Sequence, residues 1–117
     1  MLKKVYRLKK RTAFSATYKT GKSFHKDGIT LFCGKNKTIN IPTKIGFVVS
    51  KKIHKRAVKR NRIKRLMREA VRLYIKDNSS FDTKYISIIF VATSSLLEKN
   101  YNEINTGIKK LMDKLND

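Results

Sequence analysis

The chain has one cysteine, one proline, no tryptophan, two histidines and 8 acidic residues in 117. Each scarcity removes a class of explanation. A lone thiol cannot close an internal disulfide, and Cys33, between Phe32 and Gly34 in a strand-like run, reads as a buried side chain rather than a nucleophile. His25 and His54 each lie beside lysine, without a carboxylate or cysteine at ligand or triad spacing, so neither a metal centre nor a nucleophilic triad is expected. The few acids are scattered, and no pair is placed for general acid and base work. There is no glycine-rich phosphate loop, internal repeat or low-complexity tract. No apolar run approaches a membrane span or the core of a signal peptide, so a cytoplasmic protein is expected. At this length one domain, residues 1–117, would bury about two-thirds of its unfolded surface without help from metals or disulfides.

Positive charge is abundant. Lysine and arginine number 29, for a net charge of +21. The excess is local: residues 1–76 carry 24 basic and 2 acidic side chains, whereas residues 77–117 carry 5 and 6. A polyanion is the partner such a surface calls for, nucleic acid first and an anionic membrane surface second.

After a basic arm, residues 1–11, Thr12 is placed to cap a helix over 12–20 on which Phe14 and Tyr18 share a face, with Gly21 as its stop. GITLFCG, 28–34, and KIGFVVS, 44–50, read as strands around a polar turn, and a hairpin is their simplest pairing. From Ile63 to Ile75 the apolar residues recur at three and four, the stripe of a helix ending near Lys76, and DNSSFD, 77–82, breaks it. YISIIFVA, 85–92, suits a central strand covered on both faces. Ser95 and Glu98 have capping-box spacing ahead of a last helix striped by Tyr101, Ile104, Ile108, Leu111, Met112 and Leu115, with Gly107 inside it. The order helix, strand, strand, helix, strand, helix predicts an α+β fold with helices packed on one small sheet.

The central segment carries the chemistry. Twelve positive charges fall between Lys51 and Lys76 against Glu69 alone, which is spaced to pair with Arg65 or Arg72. A helix whose first turns are basic opposes its own dipole, and a solvated face would interleave acids. Phosphates would supply the missing charge, held by arginine forks and by the free N–H groups of the helix start.

AVKRNRIKRLMREAVR, 57–72, with VSKKI before it, closely resembles the signature of the bacterial ribonuclease P protein subunit. YRLKKRTAF, the Phe14 and Tyr18 pair, Gly21, the strand ending in Phe32 and KIGFVVSKK resemble the same family in the same order, over about residues 5–92. Where the family often has a glycine and a shorter connection after Ser-Lys-Lys, this chain has IHKR, 53–56. The resemblance implies a small mixed sheet with a left-handed strand-helix-strand crossover. It implies a protein with no catalytic residue of its own, working beside an RNA that hydrolyses the bond joining the 5′ leader to precursor tRNA with Mg²⁺ held mainly by RNA. No protein partner and no membrane are required.

The resemblance further places Arg60, Asn61, Lys64, Arg65 and Arg68 on the helix that contacts the catalytic RNA, with Lys51, Lys52 and Arg62 as neighbours. It places Phe14, Tyr18, Thr30 and Phe32 in the cleft that holds the single-stranded leader. Aromatic stacking in a positive groove suits a single strand, although the same rings also serve a small core. The competing classes are a ribosomal or nucleoid protein that coats nucleic acid without a role in cleavage, and a membrane-surface or calmodulin-type amphipathic helix. The latter is weakened because residues 58–75 contain no Trp or Phe and their apolar stripe is needed for a core.

Overall fold

A computed structural model describes residues 3–77 and 83–115. Four strands, β1 (Lys22–Lys26), β2 (Ile29–Cys33), β3 (Lys44–Val48) and β4 (Ser87–Ala92), form one sheet in the order β1-β2-β4-β3. Three helices, α1 (Arg11–Lys19), α2 (Ala57–Asp77) and α3 (Tyr101–Leu115), pack on it. β1, β2 and β4 are antiparallel neighbours, while β3 runs parallel to β4, joined to it through α2. The architecture is the expected mixed α+β fold.

The expected hairpin between the second and third strands does not form. β4 lies between them, pairing Phe32 with Ile89 and Ile89 with Gly46. β4 is apolar on both faces and buries Ile88, Ile89 and Phe90 completely, as suits a strand paired on both edges between β2 and β3; β2, the other interior strand, alternates buried and half-buried residues. The hairpin that does form joins β2 to β1, a strand absent from the expected order. Its two-residue turn is Asp27-Gly28, with φ of 51° and 85°, the left-handed geometry that twists flanking strands correctly.

Alternation sends Ile29, Leu31 and Cys33 to one face of the sheet, where with Ile45, Ile88, Phe90 and Ala92 they meet α2 and α3. The expected stripe of α2 buries Ile63, Met67, Ala70, Val71 and Tyr74, and α3 buries Ile104, Ile108, Leu111, Met112 and Leu115. A Cβ on Gly107 would come within 3.3 Å of Asp27 Cβ, so glycine lets α3 approach the hairpin turn closely. Burial pushes the Cys33 thiol up to about 11, only partly offset by Lys22 and Lys84.

Two caps differ from expectation. α1 begins at Arg11, so Thr12 lies inside it and the residue before the helix, Lys10, makes no side-chain cap. Ser94–Glu98 is a 3₁₀ turn, and the capping box is formed instead by Asn100 and Glu103, whose side chains accept from each other's backbone N–H at 2.9 and 3.1 Å. Gly21 ends α1 as expected, at φ 73°. The expected break at 77–82 lies, past Asp77, outside the described residues.

Candidate nucleic-acid interface

The second face of the sheet is only partly covered. α1 crosses it, setting the Phe14 ring over Gly46, where a Cβ would fall 2.6 Å from a ring carbon. The Thr17 hydroxyl meets that of Ser87 at 2.6 Å, and Tyr18 sets its ring edge to face on Phe32, 5.0 Å between centroids at 82°. The structure thus brings Phe14, Tyr18 and Phe32 together along one margin of α1. Tyr18 remains 37% exposed, and its partial desolvation holds the phenol above its ordinary value. Thr30 lies one register step away on the same face, its hydroxyl 2.9 Å from His25 Nδ1. His25 is a member of this face that sequence reasoning missed. Recognition of the Asp27-Gly28 turn would have supplied it, because the turn places His25 directly opposite Thr30.

α2 presents the basic face. Asn61, Arg62 and Arg65 are exposed, as are Lys51 and Lys52 in the turn after β3, whereas Lys64 and Arg68 are half-buried toward the sheet. Arg68 sets its guanidinium 5.9 Å from the centre of the Phe47 ring. Arg60 is turned inward: its Nη1 donates to the carbonyls of His54 and Lys55, each at 2.8 Å. His54 Nδ1 accepts the Arg56 N–H at 3.0 Å. Arg60, expected on the RNA-contacting face, therefore ties the IHKR connection to the first turn of α2, while the His54 contact lies within the connection itself. Glu69 pairs with Arg72, through contacts of 3.0 and 2.5 Å, and not with Arg65. That pairing holds the Glu69 carboxyl below its ordinary value and removes Arg72 from the free basic face.

The chain matches the family model described as Ribonuclease P over residues 2–116. It belongs to the ribonuclease P protein family. The ribonuclease P protein component of Clostridium kluyveri is 41% identical to it over 114 residues, covering 94% of each chain. That of Microcystis aeruginosa is 32% identical, covering 98% of this chain and 94% of the relative. The Staphylococcus aureus RNase P protein structure superposes with a TM-score of 0.77 at 30% identity over 95% of both chains. The Thermotoga maritima RNase P protein, 20% identical, shares the fold with a TM-score of 0.75 over 92% of this chain.

A membrane-surface role finds no support in this ribonuclease P protein fold. Among the described residues no helix is long and apolar enough to cross a membrane. The apolar stripe of α2 lies in the core, so it is not available to a lipid surface.

Proposed function

We propose that this chain, as the protein component of ribonuclease P, binds the RNA subunit along α2 and holds the 5′ leader of precursor tRNA in the groove between α1 and the sheet. The observation that carries this division of labour is the separation of two surfaces with different chemistry. Asn61, Arg62, Arg65, Lys51 and Lys52 are exposed cations and an amide without an aromatic among them, suited to the phosphates of a structured RNA. Tyr18, Phe32 and Thr30 form an aromatic-edged groove with hydroxyl and imidazole groups on its floor, suited to unstacked bases. Lys64 and Arg68 stand between the two.

The bond is cleaved by the RNA. The protein raises substrate affinity and neutralises phosphate charge where leader and RNA subunit approach each other, so that less divalent cation is needed for the RNAs to associate. Mg²⁺ prefers hard oxygen ligands and several waters, which RNA phosphates supply. Among the described residues no three His, Cys, Asp or Glu side chains gather to hold a metal ion, so no step is assigned to a protein-bound one. A cytoplasmic site of action follows from the substrate.

Cleavage of precursor tRNA by a bacterial ribonuclease P RNA at near-physiological Mg²⁺, with and without the protein, tests this. Cleavage at the mature 5′ end that requires both components is expected, with none from the protein alone. Tight binding to any RNA without stimulation would overturn it and favour a coating protein.

A further inference from the structure

Between the N-terminal arm, β3 and α2 lies a hollow of about 260 Å³. Its lining carries four cations, Arg7 and Lys9 from the arm and Lys64 and Arg68 from α2, and two aromatic rings, Phe14 and Phe47, which reach it from opposite faces of β3. No acid lines it. The arm is fixed in place as one wall, because the Leu8 N–H donates to the Ile45 carbonyl at 2.9 Å and Lys44 Nζ reaches the Val5 carbonyl at 2.6 Å. Phe47 is held by its cross-strand neighbour Phe90, stacked at 5.7 Å and 14°.

A surface that met phosphates alone would need no aromatic lining. Aromatic rings and cations lining one hollow match a nucleobase with its flanking phosphates, since unstacked RNA bases are held on aromatic and guanidinium planes. The volume is below the roughly 300–1,000 Å³ of drug-sized pockets and suits one ring system. We infer that this hollow takes a single unstacked nucleotide of the RNA subunit, its base between the Phe14 and Phe47 rings that flank the β3 edge and its phosphates on Lys64, Arg68 and the arm. The inference rests on the reading of α2 as the helix that binds that RNA, because Lys64 and Arg68 belong to it. It goes further in giving Phe47 and the arm a ligand and in naming that ligand's chemistry.

Isotope-labelled protein titrated with adenosine 5′-monophosphate, and separately with ribose 5-phosphate, tests the pocket directly. The mononucleotide should shift the resonances of Gly46, Phe47 and Phe14 in a pattern that the base-free phosphate does not reproduce. Equal shifts from both, marking an anion site only, or none from the mononucleotide at millimolar concentration, would overturn the inference. In binding to the RNA subunit, Phe47→Leu should lose about 10-fold with an unchanged salt dependence, and Phe47→Tyr should retain affinity. Arg65→Ala separates the two levels. If it weakens RNA binding while Phe47→Leu does not, the nucleotide pocket fails alone, and if neither variant matters the reading of α2 fails as well. A Phe47→Leu loss confined to leader-bearing precursor would refute assignment to the RNA subunit.

Discussion

Tyr18 touches Phe32 with its ring edge to face, leaving more than a third of its surface open. A ring held in this way offers a stacking surface at little further entropic cost, and base stacking is worth about 1–3 kcal/mol. Tyr18→Ala should therefore weaken binding of precursor tRNA by about 10-fold or more, and binding of mature tRNA hardly at all. Paired titrations of the two RNAs check this, and equal losses would mark Tyr18 as a core residue. Cys33 makes the opposite case, a reactive group without access. Its thiol is completely buried and pushed up to about 11. The folded state retains that proton where the unfolded chain, near pH 9, gives it up, so this contribution to stability is present below pH 9 and is lost as pH rises toward 11. Alkylation at pH 8 should follow global unfolding, and rapid labelling of native protein would contradict the burial.

At the scale of elements, α2 does two jobs with one kind of residue. Arg60 is bound to two carbonyls of the connection preceding the helix, and Arg65 faces outward. Arg60→Ala should lower Tm by several degrees, because two carbonyls lose a charged donor worth about 1.5–3 kcal/mol. Arg65→Ala should leave Tm unchanged while weakening RNA binding, and thermal melts beside binding isotherms separate the two. Gly46→Ala forces a methyl against the Phe14 ring, an overpacking that costs about 1–3 kcal/mol and displaces a ring shared by the groove and the hollow. Loss of both Tm and leader affinity is expected. The sequence reveals α2 and β4 well, since a stripe at three and four and an apolar run on both faces are local patterns. It conceals β1, because KSFHK has one half-buried residue, Phe24, among exposed ones and leaves only Asp27-Gly28 as a signal. It misplaces β3, since neighbours in a sheet are chosen by the whole fold and a crossover through α2 carries no local mark. The groove aromatics are legible only through family resemblance; Arg60's inward turn depends on loop geometry that no spacing encodes.

Across the whole molecule, charge governs behaviour. With about 6–10 phosphates neutralised, affinity for the RNA subunit should fall by about 10³–10⁵ between 50 and 200 mM salt, by the rule for duplex nucleic acid. A salt titration that stayed flat would remove the electrostatic account. The sheet order has its own consequence during synthesis. β4, the strand on which β2 and β3 both pair, is the last strand in the chain. A domain folds as a unit during synthesis, and here 86 residues, including the entire basic helix, precede the first residue of β4. A nascent chain with its cations exposed and its central strand still unmade is therefore produced amid ribosomal RNA, and the speed with which β4 inserts sets how long that exposure lasts.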